Sequence, residues 1–104
     1  MAFTGDEAEQ FPLETAAKWT SNYRLANPGK TTAHFFGFKI IKQILGQEGC
    51  VGIRCYYALD DNGKQQLIMV GTDAEENDLY NGLIAEVSRP CPPFCGNTNP
   101  LNSL

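Results

Sequence analysis

Apolar residues recur every three or four positions in the first quarter of the chain, which is the period of a helix with one buried side. The residues that follow this spacing are Leu13, Ala16, Ala17, Thr20 and Tyr23. Pro12 suits a first helical position, because the N–H that proline lacks would have no acceptor within the helix. The pattern therefore predicts a helix from Pro12 to about Leu25, broken by Pro28 and Gly29.

A second run of apolar residues with helical spacing follows that break. Its members are Phe36, Ile40, Ile41, Ile44 and Leu45. Lysine and glutamine occupy the intervening positions, which is typical of a helix packed on one side. We expect this helix to begin at Thr32 or Ala33 and to end at Gly46 or Gly49, since glycine is favoured just after a helix.

From Cys50 to Leu59 the period changes to two, which predicts a strand. Asp60, Asp61, Asn62 and Gly63 come next, and Asn-Gly favours the tight turn of a hairpin. Residues 65–72 form the expected partner strand. With Asp61 opposite Lys64, the predicted register places Tyr57 opposite Ile68, Cys55 opposite Val70, Tyr56 opposite Met69 and Ala58 opposite Leu67.

Both faces of this predicted hairpin are apolar, whereas a sheet with one wet face shows polar residues at every second position. Something must therefore cover the second face. A third strand within residues 83–88 is one candidate, and a second copy of the chain is the other. In the predicted register, Arg54, Tyr56, Leu67 and Met69 would form an interface for a protein partner or a twin subunit.

These elements predict an α+β fold in which two N-terminal helices pack on one face of a small, mainly antiparallel three-stranded sheet. A loop rich in proline and cysteine follows the sheet. We expect one domain over residues 1–104, with a mobile arm at 1–11, a globular core at 12–95 and a loose tail at 96–104. The predicted core comprises Leu13, Trp19, Tyr23, Ile40, Ile41, Ile44, Leu45, Val51, Ile53, Cys55, Tyr57, Ile68 and Val70.

Composition narrows the classes of partner. The net charge is -4 and only eight of 104 residues are Lys or Arg, so no basic stripe is available to neutralise nucleic-acid phosphates. No apolar stretch approaches the roughly 20 residues that span a bilayer. Four cysteines are too few for a disulfide framework, so we expect reduced thiols, a cytoplasmic location and no required cofactor.

The most distinctive segment for chemistry is Pro-Cys-Pro-Pro-Phe-Cys-Gly at residues 90–96. Its prolines restrict the backbone, and Gly96 permits a turn that brings Cys91 and Cys95 together. Such a pair suits reversible oxidation or zinc binding, and Arg89 would favour a thiolate. A zinc site would also need His34, Cys50 or Cys55. The alternative is a packing role, with Phe94 covering the sheet.

Other candidate chemistry is weaker. Gly29, Lys30 and Thr31 match only the end of a phosphate-binding loop, since the earlier glycine is replaced by Arg24. His34 is the single histidine and would need Glu86 or a cysteine beside it to act as a base. The acidic clusters at 60–61 and 73–78 lack calcium-loop spacing and indicate solvated loops. A non-enzymatic protein is therefore favoured.

Residues 49–60, Gly-Cys-Val-Gly-Ile-Arg-Cys-Tyr-Tyr-Ala-Leu-Asp, together with the 90–96 segment, resemble the signature of small bacterial proteins with a domain of unknown function. The resemblance covers most of the chain from Pro12 to Gly96. It implies a bacterial, cytoplasmic origin and a shared fold, and it transfers no catalytic residue. The leading functional hypothesis is a binding or assembly module, and the alternative is a thiol-redox or metal-binding protein that uses Cys91 and Cys95.

Overall fold

The computed structural model describes residues 2–103, which contain both helices and strands and so confirm the α+β class. Residues 1 and 104, the ends of the predicted arm and tail, lie outside the described residues. The chain forms two compact units: the sheet unit comprises residues 2–7 and 36–88, and the α1 unit comprises residues 8–35 and 89–103. Neither helix of the described chain has the length and apolar character needed to cross a membrane.

The sheet unit contains helix α2 (Phe38–Leu45) and strands β2 (Cys50–Leu59), β3 (Gln65–Asp73) and β4 (Ile84–Ala85). The three strands form one antiparallel sheet in the order β2-β3-β4. The predicted three-stranded sheet is therefore confirmed, although its third strand is shorter than the predicted 83–88 segment. Met69 and Val70 of β3 pair with Ala85 and Ile84 of β4.

The core of the sheet unit lies between α2 and the sheet. Ile44 is completely buried and packs with Met69 and Ala85. The partly buried residues around this cluster are Phe36, Ile40, Ile41, Cys50 and Ile53. Gly46, one of the two glycines predicted to end the helix, ends α2, and its N–H donates to the carbonyl of Lys42 at 2.9 Å. The apolar spacing of α2 therefore identified Ile40, Ile41 and Ile44 correctly, whereas the predicted core position of Leu45 is wrong, because Leu45 is 46% exposed.

The predicted start of the second helix is wrong. Ala33–Phe35 forms strand β1, and α2 begins only at Phe38, after Gly37 in an extended conformation. β1 pairs antiparallel with strand β5 (Arg89–Cys91), so that His34 lies opposite Pro90. This contact joins residues that are far apart in the sequence, and tertiary pairing of that kind overrides local helical spacing.

The predicted hairpin is present, but its register is shifted by one residue. Tyr56 pairs with Ile68 and Cys55 pairs with Met69. The cause lies in the turn, where Asp60 N–H donates to Lys64 O at 2.9 Å and Gly63 has a positive φ of 80°. A three-residue loop of this type replaces the two-residue turn on which the predicted register depended.

The shift moves every side chain of β3 to the opposite face from the one predicted. Met69 and Leu67 lie on the face that packs against α2, whereas Ile68 and Val70 share the second face with Arg54 and Tyr56. Cys55 is exposed, so its predicted place in the core is also wrong.

Of the two predicted helices, α2 is the only one within the sheet unit of the described chain, and the packing of the first helix on the sheet stays a prediction. Helix α1 (Leu13–Ala26) matches the predicted bounds to within a residue, but it belongs to the α1 unit and has no buried residue. The predicted core residues Leu13 and Trp19 are 56% and 60% exposed. The spacing of apolar residues and the prolines at positions 12 and 28 define α1 locally, whereas the segment on which it packs depends on distant residues.

The second face of the sheet is covered in part by the sheet unit's own chain. Val70 and Thr72 are buried there at 4% and 2% exposure. The loop after β3 lies against this region, with Thr72 bridged to Asp78. From the predicted arm, Phe3 N–H donates to Ala74 O at 2.8 Å and the Phe3 ring lies 5.6 Å from the Arg54 guanidinium carbon.

The α1 unit combines α1 with the two-stranded sheet of β1 and β5. Thr32 N–H extends that pairing by donating to Cys91 O at 2.7 Å. In the predicted tail, Leu101 O accepts a hydrogen bond from Arg24 Nη1 of α1 at 2.7 Å. The tail and α1 are therefore linked within this unit.

Candidate functional sites

The first candidate site is the cysteine pair at the end of β5. Cys91 and Cys95 are joined by a disulfide, with a Cα–Cα distance of 4.8 Å. Their predicted close approach is confirmed, and the sequence had left their redox state open between dithiol and disulfide. The turn that joins them is supported by Phe94 N–H, which donates to Pro90 O at 2.9 Å.

The two sulfur-bearing residues have different surroundings. Cys91 is 7% exposed, because β5 pairs it with Ala33 of β1. Cys95 comes after the strand and is exposed. The Thr32 hydroxyl lies 3.2 Å from Cys91 O and 3.7 Å from Cys91 Sγ. The disulfide therefore has one enclosed end and one open end.

Phe94 is 58% exposed, so its surroundings do not support the alternative in which it has a packing role. It lies under Arg89, whose guanidinium carbon is 5.9 Å from the ring centroid. A cation over an aromatic face is a weak attraction at an exposed position. The Arg89 guanidinium therefore lies beside Phe94, which is part of the loop between Cys91 and Cys95.

The predicted zinc ligands do not form a cluster in the described residues, where no group of three or more His, Cys, Asp or Glu side chains could hold a metal ion. Cys50 and Cys55 are free thiols of the sheet unit, and Cys50 Sγ lies 3.2 Å from Gly52 O. His34 is in the α1 unit and Glu86 in the sheet unit. Burial lowers the pKa of His34 below its ordinary value.

The second candidate site is a polar group on the second face of the sheet. Asp78 accepts hydrogen bonds from Arg54 Nη1 at 2.6 Å and from the Tyr56 hydroxyl. Thr72 Oγ1 approaches the same carboxylate at 3.5 Å. The pKa of Asp78 lies below its ordinary value, first because Tyr56 donates to the charged form and then because Arg54 stabilises it.

Replacing Asp78 by Asn should remove part of the acid sensitivity of folding. Because the folded-state pKa is lowered, the stabilisation from the ionised carboxylate is present at neutral pH and is lost as the pH falls below about 4. In urea unfolding, the gap in stability between the natural protein and Asp78→Asn should therefore narrow from pH 7 to pH 3. Asp61→Asn, on the hairpin turn, is the charge-matched control, and a gap independent of pH would contradict the prediction.

The four predicted interface residues do not share one face. Arg54 and Tyr56 lie together on the second face, where Tyr56 is 45% exposed. Leu67 and Met69 lie on the opposite face, and Met69 is only 6% exposed. Asp78, which completes the group on the second face, was assigned to a solvated acidic loop. The sequence around Asp78 does not indicate that it binds Arg54, because the two residues are 24 positions apart and meet only when β2 and β3 pair.

Other acidic side chains stabilise turns. The Asp60 carboxylate accepts N–H groups from Asn62 and Lys64, both at 2.9 Å, and this bonding, with that of Lys64 the largest contribution, lowers its pKa. Asp73 accepts N–H groups from Glu75 and Asn77, also at 2.9 Å. Carboxylates that close their own backbone turns in this way explain the acidic clusters without a cation.

The third candidate site is the outer edge of β2. This ten-residue strand is hydrogen-bonded to β3, and in residues 2–103 no strand pairs with its other edge. The end of the strand is strongly exposed: Tyr57 by 86% and Leu59 by 73%. A long edge with large apolar side chains is a surface on which another strand can add.

Comparison of the chain with protein-family models, with curated proteins and with solved structures finds no match.

Proposed function

We propose that this protein is a non-enzymatic assembly module that pairs with a second copy of itself along the edge of β2. The observation that carries the proposal is the exposed edge of β2 after its register shift: residues 52–59, ending in Tyr57 and Leu59 and bonded to β3 on one side. The proposal keeps Tyr56 and Arg54 from the predicted interface and replaces Leu67 and Met69, which lie on the face toward α2, by Tyr57 and Leu59.

The start of β2 is irregular, with a register shift between Cys50 and Gly52, and a Cβ at Gly5 would lie 3.1 Å from Val51 O. From Gly52 to Leu59 the edge has few of the features that usually prevent edge-to-edge pairing. Natural edge strands are protected by lysine, proline, inward-pointing charge or short length. β2 contains no lysine or proline, and its one charged residue, Arg54, is paired with Asp78 of the same chain. A second copy would therefore meet no repulsive charge along the strand.

The strand is also suited to pairing with itself. In an antiparallel pair related by a two-fold axis, each strand presents the same row of N–H and C=O groups to the other, so all bonds form twice. With the axis at Tyr56, the Tyr56 rings of the two copies would lie across from one another on one face, and the two Tyr57 rings would be diagonal neighbours on the other face. Aromatic cross-strand pairs contribute about 0.2–1 kcal/mol each, in addition to the backbone bonds.

Tyr57→Lys should convert the assembled protein into a monomer. Lysines near the two-fold axis would repel one another and would interrupt the apolar contact. Size-exclusion chromatography with multi-angle light scattering would measure the mass over a range of concentrations. Phe38→Lys is the matched control, because Phe38 is 76% exposed but lies on α2.

The expected result is a dimer for the natural protein and for Phe38→Lys, with a monomer for Tyr57→Lys. A monomeric natural protein at millimolar concentration would overturn the proposal. Cys55 gives a second measurement, since it is exposed near the middle of β2. In a Cys50→Ser background, spin labels on the Cys55 residues of an antiparallel pair should lie within about 20 Å, whereas association through another surface would give no such distance.

A further inference from the structure

The Cys91–Cys95 disulfide closes a very short loop, with a sequence separation of 4. A disulfide stabilises a fold mainly by restricting the unfolded chain, and this effect grows with the length of the closed loop. The flanking prolines at 90, 92 and 93 already restrict the unfolded backbone here. The bond is therefore poorly placed to act as a structural cross-link.

Its two ends differ in their access to solvent and in their support. Cys91 is 7% exposed and is held in β5, where Thr32 N–H and the Thr32 hydroxyl both bond to its carbonyl. Cys95 lies beyond the strand and is exposed. Thiol–disulfide exchange depends on which sulfur an incoming thiolate can reach, and the burial of residue Cys91 and the exposure of residue Cys95 favour attack at Cys95.

The enclosed sulfur has a nearby hydrogen-bond donor. Thr32 Oγ1 lies 3.7 Å from Cys91 Sγ, within reach of a hydrogen bond to sulfur. A hydroxyl that donates to a thiolate stabilises it, and a leaving thiol of lower pKa leaves faster. The same hydroxyl also reaches Cys91 O at 3.2 Å, so rotation of its single proton would serve either acceptor.

We propose that Cys91 and Cys95 form an exchangeable thiol–disulfide site, in which Cys95 is the attacked sulfur, Cys91 is the leaving sulfur and Thr32 is a positioning residue for the leaving thiolate. The co-reactant is a thiol, either of a small molecule or of another protein. This site lies in the α1 unit and does not depend on pairing at β2.

The exchange proceeds in two balanced steps. A thiolate attacks Cys95 Sγ, the Sγ–Sγ bond breaks, and its electron pair leaves on Cys91 Sγ, which becomes a thiolate beside Thr32. A second thiol then attacks the mixed disulfide at the sulfur of the first, which releases the Cys95 thiolate. In total, two thiols are oxidised to one disulfide, and the cysteine pair gains two electrons and two protons.

The rigid loop also favours the return reaction. After reduction, Cys91 stays in β5, and Pro92 and Pro93 restrict the backbone between the two sulfurs. The Cys91 thiolate would therefore remain close to Cys95 and could displace a bound thiol from it. Reversible exchange needs this high local concentration of the second sulfur.

The experiment compares two single-cysteine proteins in a Cys50→Ser, Cys55→Ser background. Cys91→Ser leaves Cys95 alone, and Cys95→Ser leaves Cys91 alone. Mass spectrometry would follow formation of the mixed disulfide with oxidised glutathione over time. At about pH 10, above the ordinary thiol pKa of about 8.5, both thiols are largely ionised and access to the sulfur decides the rate, so we expect Cys95 to react about tenfold faster than Cys91. Equal rates, or a faster Cys91, would overturn the assigned roles.

A synthetic peptide of residues 90–96 is the matched control for the fold. Without β1, β5 and Thr32, the two sulfurs of the peptide are both open to solvent, so the corresponding single-cysteine peptides should react at similar rates. The same tenfold difference in the peptides would show that the fold does not create the asymmetry, and the proposal would fail.

The role of Thr32 is tested in the background that keeps both Cys91 and Cys95. Thr32→Val removes the hydroxyl and keeps the shape, whereas Thr32→Ser keeps the hydroxyl. Reduction of the disulfide by dithiothreitol should slow several-fold in Thr32→Val and stay near the natural rate in Thr32→Ser. In the Cys95→Ser protein, Thr32→Val should also raise the pKa of the Cys91 thiol, measured from its thiolate absorbance. An unchanged rate and pKa would remove Thr32 from the site while leaving the Cys95 assignment to its own test.

Discussion

Ile44→Ala should lower the free energy of unfolding of the sheet unit by about 2–5 kcal/mol. Ile44 has 0% exposure and packs with Met69 and Ala85, so the substitution removes buried methyl groups and leaves a cavity between α2 and the sheet. Urea unfolding followed by circular dichroism would measure the loss, and hydrogen exchange at the β3 amides would assign it to this unit.

The matched control for Ile44→Ala is Phe38→Ala on the same helix. Phe38 is 76% exposed, so truncating it removes little buried surface and should change stability by less than about 0.5 kcal/mol. Similar losses for the two variants would contradict the placement of the core between α2 and β3. So would a small loss for Ile44→Ala with unchanged protection of β3.

Gly71→Ala should destabilise the sheet unit by about 1–3 kcal/mol through overpacking. A Cβ at position 71 would lie 2.8 Å from Gln47 Nε2, 3.0 Å from Cys50 Sγ and 3.3 Å from Ile44 Cγ2. The Gln47 amide cannot move without cost, because Nε2 donates to Ile44 O at 3.0 Å and Oε1 accepts from Leu83 N–H at 2.8 Å. The added methyl group would disturb the contact between α2 and the segment before β4.

Gly52→Ala is the control for Gly71→Ala, since both glycines lie in the paired strands β2 and β3. A Cβ at Gly52 would have no atom within 4 Å, so its addition meets open space. We expect Gly52→Ala to be neutral or slightly stabilising, because alanine loses less backbone entropy than glycine on folding. Equal destabilisation by the two substitutions would show that a general effect of glycine in strands, and not Gln47, is responsible.

The sequence predicts the elements whose signals are local. The period of α1, with proline just before its first turn, gives its bounds to within a residue, and alternation gives β2 and β3. Gly46 marks the end of α2 correctly. These signals depend on neighbours a few positions away, and no distant segment competes with them.

The errors come from interactions that the local pattern does not contain. Ala33–Phe35 directly precedes the apolar run with helical spacing and was predicted as the first turn of that helix, yet it forms a strand because β5 lies beside it. The hairpin register depends on whether two or three residues form the turn, and the bond from Asp60 N–H to Lys64 O decides it. This shift of one residue places Met69 on the opposite face of the sheet from Arg54 and Tyr56, whereas the predicted register places all three on one face.

Candidate sites made of residues close in sequence can be predicted, whereas those that depend on contacts between distant segments cannot. Cys91 and Cys95 are close in sequence and joined by prolines, so their approach follows from local stiffness. The ion pair of Arg54 with Asp78 joins a strand to a loop 24 positions later, and no local pattern indicates it. Likewise, the contact of Thr32 with Cys91 crosses 59 positions and follows only from the β1–β5 pairing.

Because β1 pairs with β5, this pair of strands can form only after the ribosome has synthesised residues 36–88, which lie between them in the sequence. Residues 36–88 of the sheet unit are contiguous and are synthesised before Arg89–Cys91. The three strands of the sheet unit can therefore associate before β5 is available to pair with β1. The nascent chain therefore carries Cys50 and Cys55 as thiols before Cys91 and Cys95 have emerged. The Cys91–Cys95 bond can therefore form only after residues 36–88 of the sheet unit have been synthesised.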